Sequence, residues 1–242
     1  MRHAIASTAA FAALAVFTPV ATAADPLLPK PGQVVVDVDR GDVILSADVQ
    51  IPKGKACIDA YGERIQAFVG TVRADGRSAK MAEYFVFLVD APAEDVHAGM
   101  TKVGCKPKAH MSMADGKERS GWAPAGGPAF LDGDPVALSV FWKQGEKWVE
   151  RPYESFVTER VMVDGKPVEK PWTPHFVYHG SGAIHKSGTG CIACPCDCPG
   201  GLIADNRNPI YDPKPTVKFD TSKAPPTGTA VYIRLRPTVT RE

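Results

Sequence analysis

The sequence predicts a mainly β, β-rich α+β fold, with antiparallel sheets, one short helix around residues 93–103 and a Cys-rich loop. Several short segments are rich in β-branched residues or alternate between apolar and polar residues, as half-buried strands do. A single segment has its apolar residues at convincing helical spacing. The 242 residues include 22 glycines and 22 prolines, which favours many turns over long helices.

The first part of the chain is predicted to contain a hairpin and two further strands. Residues 34–39 and 43–49 are β-branched and flank a turn signal at Arg40-Gly41-Asp42, which predicts the hairpin. Residues 64–69 are a third candidate strand. The strongly apolar segment 82–89 is the fourth, and we expect it to be buried on both faces.

The helix is predicted over residues 93–103. Pro92 suits the first turn, where its missing N–H costs nothing, and Gly104 is placed to end the helix in a left-handed conformation. The apolar side chains of the segment fall on one face: Val96, Met100 and Val103. We therefore expect the helix to pack against the sheet.

Strand signals resume after a long irregular loop over residues 106–134. A loop of this length is uncommon within a compact domain and is often functional. Asp164-Gly165 is a hairpin turn signal. The later candidate strands are residues 136–142, 148–150, 156–163 and 229–236.

The start of the chain predicts a secretory signal peptide over residues 1–23. Arg2 and His3 precede an apolar run, and Ala21-Thr22-Ala23 fits a cleavage site. The mature chain, residues 24–242, is expected to be a single exported domain with no membrane span, and the Ala-rich signal favours a bacterial periplasm. The net charge is +1, with acids and bases interspersed, which gives no electrostatic reason to expect nucleic acid as a partner.

Four of the six cysteines form a C-x-x-C-x-C-x-C cluster: Cys191, Cys194, Cys196 and Cys198. Thiolates are soft ligands that suit Cu(I), zinc or iron–sulfur clusters, and the single-residue gaps do not match ferredoxin spacing. The cluster therefore predicts a copper or zinc ion. His179 and His185, just upstream, are further candidate ligands.

Two alternatives to a metal site remain open. In an oxidising compartment the cysteines can form structural disulfides, and Cys57 and Cys105 can join that set. Such bridges would rigidify a loop that an unknown protein partner could recognise. A thiol–disulfide oxidoreductase is the weaker alternative, because it needs a low-pKa thiolate in an exposed C-x-x-C.

Enzyme motifs are missing from the sequence. The nucleophile elbow, the phosphate-binding glycine loop and the dinucleotide fingerprint are all absent. We therefore assign no catalytic residue and expect a binding or accessory role rather than an enzyme.

Several short motifs follow one another along the mature chain in a recognisable order. They include Ala93-Glu94-Asp95-Val96-His97-Ala98, Val103-Gly104-Cys105-Lys106-Pro107, Val177-Tyr178-His179-Gly180-Ser181-Gly182 and Leu202-Ile203-Ala204-Asp205. Over about residues 32–237 this order resembles the YdjY-domain family of exported bacterial proteins. The resemblance implies an exported, β-rich protein of unassigned biochemistry. It gives no role to the cysteines, whose segment, residues 186–201, looks like an insertion in the family pattern.

Overall fold

The computed structural model describes residues 27–50, 69–71, 73–74, 77–79, 82–107, 132–181, 190–195, 200–207 and 217–238. The strands are β1 (Val34–Asp37), β2 (Asp42–Val49), β3 (Val69–Thr71), β4 (Arg73–Ala74), β5 (Arg77–Ser78), β6 (Phe87–Val89), β7 (Asp134–Gln144), β8 (Lys147–Pro152), β9 (Val157–Val163), β10 (Lys166–Pro171), β11 (Phe176–Tyr178), β12 (Cys191–Cys194), β13 (Ile203–Asp205), β14 (Val217–Phe219) and β15 (Ala230–Pro237). The helix α1 spans Ala93–Lys102, and short 3₁₀ turns span Ala82–Tyr84, Tyr153–Phe156 and Thr221–Lys223.

Eight of these strands form a sheet that closes on itself. Their order is β2-β15-β7-β11-β13-β12-β3-β6, and β6 pairs again with β2. The β12–β13 and β3–β6 pairs are parallel, and the other pairs of this ring are antiparallel. The predicted fold class is therefore confirmed in outline, but the sheet is mixed rather than purely antiparallel.

Two strands extend the closed sheet at its margins. β1 pairs with the first half of β2, which confirms the predicted hairpin, while β6 pairs with the second half of the same strand. β8 pairs with the far half of β7, and β11 pairs with β7 at its first two residues. β7 is thus shared by two neighbours that lie end to end along one of its edges.

The hydrophobic core lies inside the closed sheet, and alternation along the strands explains how it forms. On β15 the side chains of Val231, Ile233 and Leu235 are fully buried, whereas Arg234 and Arg236, which alternate with them, lie on the outer face. Because successive side chains of a strand point to opposite faces, this period of two divides the molecule into an apolar interior and a polar exterior.

Helix α1 packs against the inner side of β1 and β2. A Cβ at Gly99 would lie 3.1 Å from Cγ1 of Val43 and 3.2 Å from Cγ1 of Val34, so a small residue permits this close approach. The helix ends one residue before the predicted limit, and Gly104 follows it with φ +92°. The predicted C-terminal glycine is confirmed, because a φ of about +90° is favourable for glycine and strained for residues with a side chain.

A second sheet has the order β10-β9-β14. The β9–β10 hairpin turns at Asp164 and Gly165, whose φ angles of 50° and 74° are those of the predicted two-residue turn. Aromatic side chains pack where this sheet meets the closed sheet: Phe87, Tyr153, Phe156 and Phe219.

The segment 82–89 differs from the prediction of one long strand. Ala82–Tyr84 is a 3₁₀ turn, and only Phe87–Val89 is a strand. The side chain of Gln50 donates hydrogen bonds to the carbonyl oxygens of Ala82 and Phe85, at 2.6 and 2.7 Å. These bonds satisfy carbonyls that a neighbouring strand would otherwise have to satisfy.

The Cys-rich segment also differs from the prediction, because Cys191–Cys194 form strand β12 rather than a loop. Cys191, Ile192, Ala193 and Cys194 are all buried and include neither proline nor glycine, so they can continue a sheet. The first proline of the segment, Pro195, follows directly after the strand.

Some predictions fall outside the described residues. Residues 1–23 and 64–68 do so, as does most of the predicted loop over 106–134, whose last residue begins β7. Among the residues that the structure describes, no helix is long and apolar enough to cross a membrane.

Candidate functional site

The first two cysteines of the cluster lie on β12, between β3 and β13. Cys191 is paired with Gly70 of β3, whereas Ala193, two residues later, is paired with Val69, which is only one residue away from Gly70. β12 therefore carries one extra residue at this point, which is a β-bulge.

The bulge decides the face of the sheet on which the cysteines lie. Directly paired residues share a face, and neighbours along a strand alternate. Since Val69 and Gly70 are neighbours, their partners Ala193 and Cys191 lie on opposite faces. Cys194 follows Ala193 and so also lies opposite to it. Cys191 and Cys194 therefore share a face, although a regular strand would place residues three apart on opposite faces.

The shared face is the outer one. Ala193 belongs to the interior hydrophobic core, so the two thiols are directed away from that core. They are nevertheless only 6% and 5% exposed. The ring of Phe85 helps to explain this burial, because it lies against Gly70, the partner of Cys191, so closely that a Cβ at that glycine would be 2.1 Å from the ring.

Two glycines allow close packing around the start of β12. Gly190 has φ +75°, and a Cβ there would lie 2.4 Å from Cβ of Ala79 and 2.6 Å from the carbonyl oxygen of Thr71. A Cβ at Gly201 would lie 3.3 Å from Sγ of Cys191. The cysteine pair is thus held in a tightly packed part of the sheet.

The two thiols act electrostatically on a buried tyrosine. The pKa of Tyr153 is raised well above its ordinary value, first by burial and then by the negative charge that Cys194 and Cys191 can carry. This hydroxyl therefore keeps its proton at physiological pH. Both thiols lie close enough to affect its ionisation.

His179, a predicted ligand, is fully buried just after β11. Its Nδ1 accepts a hydrogen bond from the backbone N–H of Ser181 at 3.1 Å, and Oγ of Ser181 is 3.0 Å from the same nitrogen. Because Nδ1 accepts, the proton of the neutral ring is on Nε2. A metal-bound histidine usually binds the ion through one ring nitrogen and donates the N–H of the other to an orienting partner. In His179 Nδ1 accepts a hydrogen bond instead, and Nε2, the nitrogen through which a metal would bind, carries the proton.

The other predicted ligands lie outside the described residues: Cys196, Cys198 and His185. Cys57 also lies outside them, so its predicted pairing with Cys105 is not described. Among the residues that the structure describes, no group of three or more His, Cys, Asp or Glu side chains could hold a metal ion. The structure thus brings Cys191 and Cys194 onto one face of the sheet.

Sequence reasoning does not find a second polar contact, between α1 and β11. The Tyr178 hydroxyl lies 2.7 Å from Nδ1 of His97. Burial is the main cause that raises the pKa of Tyr178, to about 12, and burial lowers the pKa of His97. At neutral pH the protonated hydroxyl therefore donates to the neutral ring. Alternate side chains of β11 point into the core, and this pattern is the sequence signal that could have placed Tyr178 near the helix.

Comparison with known proteins identifies the family. The family pattern of the YdjY domain matches residues 34–236, which is most of the chain and reaches from the start of β1 to the next-to-last residue of β15. Neither the curated proteins nor the solved structures that were compared contain a match. The order of motifs along the mature chain and the family match agree, and the chain belongs to the YdjY domain family.

Proposed function

We propose that this protein is an exported accessory protein of the periplasm that holds a soft metal ion, copper or zinc, through its cysteine cluster. The ligands are drawn from Cys191, Cys194, Cys196 and Cys198, with His185 as an additional candidate. The metal would be delivered, stored or used to stabilise a protein partner.

The observation that carries this proposal is the bulge of β12. It turns two cysteines three residues apart onto the same face of a rigid sheet, in a buried setting. Two adjacent thiolates are a favourable start for a soft-metal site. A buried pair of negative thiolates would be costly without a cation, and a bound metal ion would compensate that charge.

The remaining ligands would come from the residues that follow β12. Cys196 and Cys198 come two and four residues after Cys194 in the sequence, close enough along the chain to reach the same ion. His179 is the least favoured of the predicted ligands, because its Nδ1 already accepts from the Ser181 amide. Two thiolates can suffice for Cu(I), whereas zinc usually takes four ligands in structural sites.

A structural disulfide is the second candidate function of the same residues, favoured by the same placement on one face. An oxidised Cys191–Cys194 pair would stiffen the end of β12 and leave no thiolate for a metal. A thiol–disulfide oxidoreductase would use the same pair, but the low exposure of both cysteines disfavours attack on a bulky substrate.

Metal content and thiol content, measured together, test the proposal. The protein is exported to a bacterial periplasm, purified without chelators, and assayed for copper, zinc and accessible thiols in denaturant. We expect about one metal ion per chain, bound by thiolates. Cys191→Ser and Cys194→Ser should each lower the metal content at least about tenfold, as expected when a ligand is lost.

Cys105→Ala is the matched control, because Cys105 is buried in the interior core rather than on the outer face of β12. Its metal content should equal that of the unaltered protein. A metal-free protein without reactive thiols would replace the metal proposal by the disulfide one. Full metal content in both β12 variants would exclude this pair as ligands.

A further inference from the structure

A pocket of about 510 Å³ lies on the outer face of the closed sheet, away from the cysteines. It is lined by the start of β7, the end of β8, the end of β15 and the residues that lead into β11. It forms where β11 and β8, the two end-to-end neighbours of β7, leave part of that strand's edge between them. Pockets of this size hold small organic ligands.

One side of the pocket carries two guanidinium groups that carboxylates hold in place. The carboxylate of Asp42, 1% exposed, accepts from Nε and Nη2 of Arg236 at 2.6 and 2.8 Å, and it also pairs with Nε of Arg234 at 3.3 Å. Arg234 is held further by Glu150, which also accepts from the hydroxyl of Ser139. Buried carboxylate and paired guanidinium groups hold each other in place, so the charges in the pocket are oriented before any ligand arrives.

Arg236 still has donors to offer. Asp42 occupies only one edge of the guanidinium, and the side chain is 47% exposed. In the described part of the chain, Nη1 of Arg236 has no hydrogen-bond partner. The edge formed by Nη1 and the outward N–H of Nη2 is the fork that binds a carboxylate through two parallel hydrogen bonds.

A negative charge without a partner among the described residues lies in the same pocket. Glu154 is half-buried in the 3₁₀ turn after β8, and its carboxylate makes neither a hydrogen bond nor an ion pair with any described residue. Its counterpart Glu150 is already bound by Arg234. Glu154 is therefore the group that can receive a cation from a ligand.

Other lining residues of the pocket offer apolar surface and one oriented acceptor. Pro152 and Pro174 supply the apolar part. Nδ1 of His175 lies 2.7 Å from Oδ1 of Asn206, which can only accept, so the ring donates through Nδ1, and Nε2 is an acceptor when the ring is neutral. This nitrogen can accept a hydrogen bond from an N–H group of a ligand, such as that of a peptide bond.

From this arrangement we propose that the pocket binds a small zwitterion of amino-acid or short-peptide type. Its carboxylate pairs with the open edge of Arg236, its ammonium group pairs with Glu154, and its apolar part lies on Pro152 and Pro174. This site is independent of the cysteine cluster.

The dipeptide Ala-Phe is the probe, together with its N-acetyl and C-terminal amide forms. Binding to the full chain is followed by NMR titration and calorimetry. Ala-Phe should shift the amide signals of Ala137, Leu138 and Thr238, and each capped form should bind at least about tenfold more weakly, because each loses one charge-assisted contact. No binding of Ala-Phe at millimolar concentration, or equal binding of all three forms, would overturn the proposal.

Variants with matched controls locate the contacts. Glu154→Gln should weaken Ala-Phe about tenfold and leave the N-acetyl form unchanged, since that form has no ammonium group. Arg236→Lys keeps the charge beside Asp42 but loses the fork, so it should weaken Ala-Phe and not the amide form. Glu146→Gln, on the exposed β7–β8 turn, is the control and should leave the affinities for Ala-Phe and for both capped forms unchanged. An effect of Glu154→Gln on both forms alike would contradict the assigned ammonium contact.

Discussion

At the scale of single residues, the hydrogen bond between Tyr178 and His97 shows how burial determines protonation. The ring of His97 packs beside Tyr178 and beside the backbone of Gly180, where a Cβ would lie 3.1 Å from Cε1 of the ring. Burial lowers the pKa of His97. The neutral ring is the form that accepts from the tyrosine hydroxyl, so the fold favours the uncharged state.

This contact predicts a pH dependence of stability. The unfolded chain takes up a proton on His97 near the ordinary histidine pKa of 6.5, whereas the folded chain resists protonation. The contribution to stability is therefore complete above that pH and is lost as the pH falls through the lowered folded-state pKa. His97→Gln removes the titration and keeps an acceptor for Tyr178.

Urea unfolding measures the effect. Between about pH 7 and pH 5 the unaltered protein should lose more of its free energy of unfolding than His97→Gln does. The two curves should run parallel above about pH 7.5, where the histidine is neutral in both states. Parallel curves over the whole range would show that His97 is protonated equally well in the folded protein.

At the scale of elements, β12 depends on a glycine before it. Gly190 has a positive φ. It also contacts β3, because the N–H of Thr71 donates a hydrogen bond to the carbonyl oxygen of Gly190 at 2.8 Å. A side chain at this position meets both an unfavourable backbone conformation and two near atoms.

Gly190→Ala should therefore lower the free energy of unfolding by about 3 kcal/mol, from the left-handed conformation and the displacement of β12 from β3. It should also weaken metal binding, because the bulge that aligns the cysteines follows directly. Thermal or urea unfolding gives the first quantity and metal titration gives the second.

Gly165→Ala is the control for this substitution. Gly165 has a similar φ of 74° in the β9–β10 turn, but no atom lies within 4 Å of the Cβ position. It should lose only about 1 kcal/mol, with unchanged metal binding. If both variants lost the same free energy of unfolding, β12 would not be closely packed against β3 and Ala79.

The local elements could be predicted from the sequence because their signals are local. The β1–β2 hairpin, the helix after Pro92 and the Asp164-Gly165 turn each depend on a few adjacent residues, and each is confirmed. The strand β12 could not be predicted, because Pro195 and the crowded cysteines suggest a loop. Pairing with β3 and β13, neither of which is contiguous with it in the sequence, makes those four residues a strand.

At the scale of the whole molecule, closure of the sheet could not be predicted from the sequence. It depends on the pairing of β6 with β2 and on the parallel β12–β13 and β3–β6 pairs, which join segments that are separated along the chain. Apolar alternation determines which side chains face inward, but it leaves the order of the strands open. The pocket beside β7 has the same origin, because its arginines and Glu154 come from different strands and turns.

The sequence predicts which residues belong to the candidate site, but it does not predict how they are arranged. The C-x-x-C spacing identifies Cys191 and Cys194, and thiolate chemistry predicts a soft metal. Whether residues three apart share a face depends on the bulge, which arises from a one-residue shift of register against β3. The preference of Nδ1 of His179 for the Ser181 amide likewise depends on the turn after β11.

X-ray absorption spectroscopy of the protein as purified from the periplasm identifies the atoms that bind the metal. We expect a copper or zinc ion whose nearest neighbours are mainly sulfur, at roughly 2.3 Å for zinc. The sulfur signal should fall when Cys191 and Cys194 are both replaced by Ser. A first shell made only of nitrogen and oxygen, or an unchanged sulfur signal in the double variant, would contradict a metal site built on the cysteine pair of β12.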